Sequence, residues 1–134
     1  MELNIRDKAG LVTGASTGIG RGIALALGAE GVRLAIVARR RNLLEEVAGE
    51  IAAAGGPEPV IVECDLMADD APAKISQAAL DGLGGVDIHV NNAGGSRAFE
   101  LDTGEEQWEE AITLNFTRQR QLTHKLLDRM IEKG

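Results

Sequence analysis

Short apolar runs alternate with longer amphipathic stretches along most of the chain. The apolar runs at residues 9–13, 32–38, 60–64 and 86–90 predict four strands. In the stretches between them, apolar residues recur at helical spacing and predict helices. Because these connections are too long for hairpins and suit crossovers, the pattern predicts an α/β fold with a parallel, doubly wound sheet. We expect the strand order 3-2-1-4 with helices on both faces.

Capping signals mark three helix ends. Gly31 follows the first helix, where a left-handed C-cap is expected. Asn42 followed by Glu45 is a variant of the capping box and predicts the start of the second helix. Thr103 followed by Glu106 gives the same signal for a final helical region that fills the rest of the chain.

Apolar stripes along the helices predict which helix faces contact the core. The stripe of the first helix contains Ile19, Ile23, Ala26 and Leu27, and that of the last contains Leu114, Leu122, Leu126, Met130 and Ile131. The sequence stops at Gly134, soon after this last stripe. We therefore expect the outer edge of the fourth strand and the face with Leu122, Leu126 and Met130 to be exposed, and predict a homodimer that covers them.

Composition narrows the class of protein. A chain of 134 residues is expected to form one domain, residues 1–134. Its net charge of −7 disfavours nucleic acid and anionic membranes as partners, which leaves a small anionic ligand. The single cysteine, Cys64, has no internal disulfide partner, and neither a signal peptide nor an apolar run of roughly 20 residues is present. We expect a soluble, cytoplasmic protein.

Three glycines join the first strand to the first helix, in the pattern Gly14-x-x-x-Gly18-x-Gly20. A turn of this kind directs backbone N–H groups and the positive end of a helix dipole at one point, which suits a phosphate group. Ser16 and Thr17 can add hydroxyl donors. The alternative is a tight turn in which glycine only relieves steric crowding.

An arginine cluster ends the second strand, roughly 20 residues after the glycine turn, where the ribose of a dinucleotide is expected. An acidic residue there would bind the ribose hydroxyls of NAD, but the sequence has Ala38 followed by Arg39, Arg40 and Arg41. Since a guanidinium pairs bidentately with a 2′-phosphate, we expect NADP(H) to be preferred over NAD(H), through Arg39 first and Arg40 second. The alternative is a solvated basic start to a helix.

Polar side chains also follow the third and fourth strands. Asp65 is placed either to accept a hydrogen bond from an adenine amino group or to cap the turn after its strand. Asn91 and Asn92 follow the fourth strand at the topological switch point, where ligands bind in such sheets. Alternatively, their side chains fasten neighbouring loops.

The two histidines are not placed for catalysis. His89 lies inside the fourth strand and is expected to be packed or at an edge, and His124 is expected on a helix surface. Neither has acidic residues at metal-ligand spacing, and Cys64 has no cysteine or histidine neighbour. We predict no metal site.

Together these motifs resemble the short-chain dehydrogenase/reductase family. The matching elements are TGASTGIG at residues 13–20, Asp65, NNAG at residues 91–94 and Asn115, in the family's order and approximate spacing over the entire chain. The resemblance implies a Rossmann-type domain that binds NAD(P)(H) and transfers hydride to or from a small carbonyl or alcohol substrate. It implies cofactor contacts from the glycine turn, including Ile19, and from Asp65, Leu66, Asn91, Ala93 and Gly94. Asn115 resembles the asparagine whose backbone holds a water of the proton relay, and it is the catalytic candidate.

The family's serine and Tyr-x-x-x-Lys pair, by contrast, are missing. The chain contains no tyrosine, and Lys125 has no phenol beside it. The sequence therefore looks like the truncated N-terminal half of an oxidoreductase, and we expect it to be inactive alone, with residues 95–99 at the near wall of the substrate pocket. The alternatives are an NADP(H)-binding module without catalysis and a structural fragment assembled through its sheet edge. A methyltransferase is disfavoured because Ala38 and Arg39 replace the acidic residue it needs.

Overall fold

Four parallel strands in the described part of the chain form one sheet, in the predicted order 3-2-1-4, where each number gives the place of the strand in the sequence. The computed structural model describes residues 2–95 and 97–134. The elements, in chain order, are β1 (Ala9–Thr13), α1 (Gly18–Ala29), β2 (Arg33–Ala38), α2 (Arg41–Ala53), β3 (Val60–Glu63), α3 (Ala71–Leu83), β4 (Ile88–Val90), α4 (Glu105–Ile112), a π-helical segment (Thr113–Thr117) and α5 (Arg118–Lys133). The parallel pairing brings the carboxyl ends of all four strands to one edge of the sheet.

The core has two layers because alternate residues of each strand point to opposite faces. On one face Leu11 and Val37 pack with buried residues of α3 and α5, such as Ile75. On the other face Val12 and Ile36 pack with buried residues of α1 and α2. Helices therefore cover both faces of the sheet, as the spacing of the elements predicted.

The buried side of α1 differs from the predicted apolar stripe. Ile19 is 77% exposed and Ala26 is exposed, whereas the buried positions are Gly20, Ala24 and Gly28. Small residues on that side allow close packing, since a Cβ added at Gly28 would lie 2.7 Å from the Ile51 side chain. Ile23 and Leu27 are partly buried and pack against the core, as predicted. The prediction was wrong for Ile19 and Ala26, because close approach of the backbones at Gly20 and Gly28 turns these two residues toward solvent.

The capping signal at α2 was also misread. The helix begins at Arg41 with Arg40 as its N-cap and no side-chain cap, so Asn42 lies inside the helix. Glu45 instead pairs with Arg41 one turn earlier, at 3.3 Å between Oε1 and Nε. Gly31 has a φ of +83° just after α1, which confirms the predicted left-handed residue.

The start of α4 lies two residues after the predicted signal. The helix begins at Glu105 with Gly104 as its N-cap. The Thr103 hydroxyl accepts a hydrogen bond from the Glu100 N–H at 2.7 Å and does not cap the helix. This threonine therefore closes the preceding loop, and the predicted capping box is not formed.

The apolar face of α5 is covered, which overturns the predicted exposure of this face. Leu122 is 0% and Leu126 is 2% exposed, and both pack in the core layer that contains α3, with Met130 partly buried beside them. Ile131, by contrast, is 67% exposed. The edge of β4 agrees with expectation, because in the described part of the chain this strand pairs with β1 alone.

Asp87 fastens the start of β4 to its surroundings. Its carboxylate accepts a hydrogen bond from the Ala9 N–H at 2.8 Å and pairs with the Lys133 ammonium at 2.8 Å. The hydrogen bond from Ala9, with the lysine second, holds the pKa of Asp87 below its usual value. The last turn of α5 is thereby tied to the sheet.

Candidate functional site

A cavity of about 420 Å³ lies where the four strands end, and we call it the strand-end cavity. Of the predicted site residues, its lining includes Gly14, Ser16, Thr17, Arg39, Arg40, Asp65, Leu66, Ala93 and Gly94. The lining does not include Gly18, Ile19, Gly20, Asn91 and Asn115. Residues that the sequence separates by about 80 positions thus meet in one place, because the carboxyl ends of parallel strands share an edge.

The three positions of the first turn require glycine for different physical reasons. Gly14 has a φ of +65° and Gly18 a φ of +57°, and residues other than glycine rarely adopt these backbone angles. Gly20 is required by close packing, since a Cβ there would lie 2.0 Å from the Gly14 carbonyl oxygen. A Cβ at Gly18 would meet nothing within 4 Å, so this part of the turn is open to a ligand.

The first turn of α1 presents N–H groups without a cap. Thr17 is the N-cap residue, but its side chain makes no capping hydrogen bond, and the first turn has no acidic residue. The first N–H groups of a helix have no acceptor inside the helix, and the helix dipole adds positive potential there. With Ser16 and Thr17 in the cavity lining, the turn is suited to an anion.

Two arginines supply further positive charge to the cavity. Arg39 and Arg40 are exposed and line it, and neither makes an ion pair within residues 2–95 and 97–134. Arg40 is also the N-cap of α2, where a cation is disfavoured by the helix dipole. An anionic group bound between these side chains would relieve that cost. Arg41 points to Glu45 instead and is not in the lining.

Asp65 caps the turn after β3. Its carboxylate accepts a hydrogen bond from the Met67 N–H at 2.9 Å, and its carbonyl accepts one from the Ala68 N–H at 3.0 Å. Asp65 therefore caps the turn after its strand, which is one of the two roles predicted for it. Because the side chain is exposed and lines the cavity, the same carboxylate remains accessible to a ligand.

Thr13 is a structural residue that sequence reasoning missed. It is 0% exposed, and its hydroxyl accepts hydrogen bonds from the N–H groups of Asn92 and Ala93 at 3.1 and 3.0 Å. The same hydroxyl donates to the Val90 carbonyl at 3.3 Å. One buried side chain thus fixes the path of the chain after β4.

The asparagines after β4 fasten loops, as their alternative reading proposed. The Asn92 amide donates to the Gly14 carbonyl at 3.1 Å, which joins the two loops that flank the cavity. The Asn91 amide donates to the Thr123 hydroxyl at 2.9 Å on α5. Asn91 is thereby directed toward the helix rather than into the cavity lining.

Asn115 lies in the π-helical segment and holds the loop after β4 in place. Its amide oxygen accepts from the Gly95 N–H at 2.9 Å, and its amide nitrogen donates to the Gly95 and Ala111 carbonyls at 2.7 and 2.8 Å. A Cβ at Gly94 would lie 2.5 Å from that amide oxygen. Glycine at this position therefore permits the close approach of loop and helix.

The far wall of the cavity is formed by the chain after β4 and by α4. Of the predicted wall at residues 95–99, Gly95, Arg97 and Phe99 are in the lining, whereas Ser96 lies outside the described residues. The Phe99 ring contacts Trp108 with centroids 4.5 Å apart. Lining residues that sequence reasoning missed are Met67, Gln107, Glu110, Ala111 and Leu114.

Burial favours the neutral forms of two ionisable side chains near the sheet, Cys64 and His89. Burial raises the pKa of the Cys64 thiol, which lines the cavity. His89 pairs in register with Leu11, so it faces the layer of α3 and α5. Burial lowers the pKa of His89, and its Nε2 has no hydrogen-bond partner among the described residues. His124 is exposed on α5, as predicted.

The described residues include neither a cluster of metal ligands nor a membrane-spanning helix. Residues 2–95 and 97–134 contain no group of three or more histidine, cysteine, aspartate or glutamate side chains that could hold a metal ion. Within the same ranges, no helix is long and apolar enough to cross a membrane.

Comparison with known proteins identifies the family. A model described as short chain dehydrogenase matches residues 8–134. Fatty acyl-CoA reductase from Acinetobacter baylyi is 35% identical over 97% of this chain and 45% of its own length, and dehydrogenase/reductase SDR family member 11 from Bos taurus is 38% identical over 82% of the chain and 44% of its own. The chain thus spans about half the length of the curated relatives it matches.

Solved structures agree with this match. L-Sorbose reductase from Gluconobacter frateurii, complexed with NADPH and L-sorbose, has a TM-score of 0.94 and 28% identity over 100% of this chain and 51% of its own. A 7α-hydroxysteroid dehydrogenase complexed with NADH has the same score and identity, over 99% of this chain and 52% of its own. From its glycine turn to the end of α5, the chain belongs to the short-chain dehydrogenase family.

Proposed function

We propose that this chain is the cofactor-binding part of an NADP(H)-dependent oxidoreductase that interconverts small carbonyl and alcohol compounds. The observation that carries the proposal is the meeting, in one cavity, of the uncapped glycine turn, the Arg39 and Arg40 side chains and Asp65. When bound, the nicotinamide cofactor would supply or accept the hydride. The residues of this chain would bind and orient it.

Each part of the cavity has a proposed partner on the dinucleotide. The N–H groups at the start of α1 and the hydroxyls of Ser16 and Thr17 would bind the pyrophosphate. Asp65 and Leu66 would contact the adenine, and the loop with Ala93 and Gly94 would lie along the cofactor. The openness at Gly18 supports this proposal, because a bound phosphate needs close access to the backbone.

The proposed preference for NADP(H) over NAD(H) rests on Arg39 and Arg40 and not on similarity to solved structures. The two solved structures above score equally, and one holds NADPH while the other holds NADH. Arg39 and Arg40 have no carboxylate partner in the described part of the chain and follow a strand without an acidic end. A 2′-phosphate would give them that partner, so we propose a preference for NADP(H).

Titration of the 134-residue chain with NADPH and NADH, followed by nicotinamide fluorescence, tests this proposal. Arg39→Ala should raise the Kd for NADPH by about tenfold or more and leave that for NADH nearly unchanged, since a charge-assisted hydrogen bond is worth about 1.5–3 kcal/mol. Arg41→Ala is the matched control, because Arg41 pairs with Glu45 outside the cavity. A wild-type preference for NADH would refute the role given to Arg39, and equal losses for both cofactors would indicate misfolding.

We propose that the 134 residues bind the cofactor without turnover. The sequence contains no tyrosine, so it offers no phenol to protonate or deprotonate the substrate oxygen. General acid–base catalysis contributes about 10² to 10⁴ in rate. Steady NADPH oxidation by this chain with carbonyl substrates would contradict the proposal.

We also propose self-association through the open edge of β4. The apolar face of α5 is covered and does not support a dimer. The proposal therefore rests on the unpaired edge of Ile88–Val90. Because this edge has only 3 residues, we expect a weak homodimer. Light scattering that shows a monomer across the micromolar range would rule this out.

A further inference from the structure

Arg118 is a nearly buried arginine at the first position of α5. Only 9% of its surface is exposed, and its guanidinium donates four hydrogen bonds. Nε donates to the Leu66 carbonyl at 2.9 Å, and Nη2 donates to the Met67 carbonyl at 3.2 Å. The remaining acceptors are the Asp69 carboxylate at 2.8 Å and the Gln121 side-chain oxygen at 3.1 Å.

The carbonyl groups, rather than the ion pair, account for this placement. The partner carboxylate of Asp69 is fully exposed, so water screens its attraction to Arg118. A buried charge is costly unless its donors are satisfied. Two of the four hydrogen bonds of Arg118 go to backbone carbonyls of one loop. These carbonyls lie between β3 and α3, outside the hydrogen-bond pattern of any strand or helix.

That loop forms the wall of the strand-end cavity beside β3. Asp65, Leu66 and Met67 are all in the lining, whereas Arg118 is not, so the guanidinium holds the loop from behind. On the other side of the same turn, the Asp65 carboxylate accepts the Met67 N–H. The loop is therefore fixed from both sides.

The start of α5 also holds the opposite loop. Gln119, the next residue, donates to the Ala93 carbonyl in the loop after β4. The start of α5 thus contacts two loops of the cavity lining, the loop after β3 at Leu66 and the loop after β4 at Ala93. A shift of this turn would change the separation of the two cavity walls.

We infer that Arg118 is a positioning residue for the adenine end of the cofactor site: it sets the conformation of the Asp65–Met67 loop through the Leu66 and Met67 carbonyls. This inference rests on the proposed function. Loss of Arg118 would leave two carbonyls without donors and let the loop sample other conformations. Binding of the adenine half of the cofactor would then have to restore its order.

The test compares Arg118→Met with Arg120→Met in the 134-residue chain. Arg120 is exposed on the same helix and gives a matched loss of charge. The probe is adenosine 2′,5′-bisphosphate, titrated calorimetrically at a temperature well below the unfolding midpoint of each variant. We expect Arg118→Met to weaken binding by about tenfold and Arg120→Met to change it less than about twofold. Arg118→Lys, which keeps the positive charge and a single donor nitrogen, should recover part of the loss.

Hydrogen exchange without ligand distinguishes a local effect on the loop after β3 from a general loss of stability. In Arg118→Met, the amides of Met67 and Ala68 should exchange faster, while that of Val12 in β1 keeps its protection. Unchanged exchange at the loop, or unchanged affinity despite faster exchange, overturns the role of Arg118. Failure of the wild-type chain to bind the probe instead refutes the proposed function, and the adenine role of Arg118 with it.

Discussion

Gly20 and Gly22 lie two residues apart in α1, yet alanine at these positions should have opposite effects. A Cβ at Gly20 would lie 2.0 Å from the Gly14 carbonyl oxygen and 2.3 Å from the Asn92 amide nitrogen. At Gly22, which is exposed, a Cβ would meet nothing within 4 Å. Gly22→Ala therefore only removes the low helix propensity of glycine and should stabilise the protein by about 1 kcal/mol.

The cost at Gly20 follows from the same geometry. To relieve the contact, α1 must move about 1 Å or more from the turn, and overpacking of this kind costs about 1–3 kcal/mol. The hydrogen bond from Asn92 to Gly14 would be lost as well, at about 0.5–1.5 kcal/mol. After the gain in helix propensity, we expect a net destabilisation of about 2 kcal/mol.

Thermal and urea unfolding, followed by circular dichroism, measure both effects. For a chain of this size about 1 kcal/mol corresponds to roughly 4 °C, so Gly20→Ala should lower Tm by about 8 °C and Gly22→Ala should raise it by about 4 °C. Gly20→Ala should also weaken NADPH binding, because the turn itself is deformed. A Gly20→Ala protein as stable as wild type would refute the close packing of helix and turn.

Substitutions at three further positions, Thr13, His89 and Asp87, test other contacts of the structure. Thr13→Val removes the acceptor of two backbone N–H groups and should cost about 1–3 kcal/mol in urea unfolding, while Thr13→Ser should cost less. Burial lowers the pKa of His89, so the unfolded state binds its proton first and stability should fall as the pH drops below about 6.5. His89→Leu should flatten this part of the profile of stability against pH. The pKa of Asp87 is also lowered, but its charged form is the stabilising one, so its contribution is present above about pH 3.9 and is lost as the pH falls through the folded pKa. Asp87→Asn should be less stable than wild type at pH 7 and should lose less stability on acidification, which denaturant titrations at both pH values can measure.

The strands and their order could be predicted from the sequence because their signal is local. A run such as residues 32–38 is apolar without interruption except at Arg33, and only a strand covered on both faces accounts for it. The strand order then places the glycine turn beside the residues after β4. The location of the cavity therefore follows from the strand order.

The orientation of α1 could not be predicted in this way. Hydropathy favours burial of Ile19, but the helix approaches its neighbours through Gly20 and Gly28, which have no side chain to register on a hydropathy scale. Close packing of backbones depends on what lies opposite, here Gly14 and the Ile51 side chain. That information lies in the tertiary structure, so the periodicity argument is right for Ile23 and Leu27, which pack against the core, and wrong for Ile19 and Ala26.

The same limit applies to α5, where the core and the candidate site meet. Its apolar positions predict a face but not its partner, which is α3 in the structure. The role of Arg118 could not be predicted from the sequence either, because the two acceptors that place it against the loop are backbone carbonyls, which any residue type supplies. Leu122 and Leu126 fix the helix on the sheet, and this fixes where the guanidinium of Arg118 meets the loop after β3. The packing of α5 on the sheet therefore also sets the distance between the cavity walls. A substitution that moves α5 on the sheet should change that distance as well.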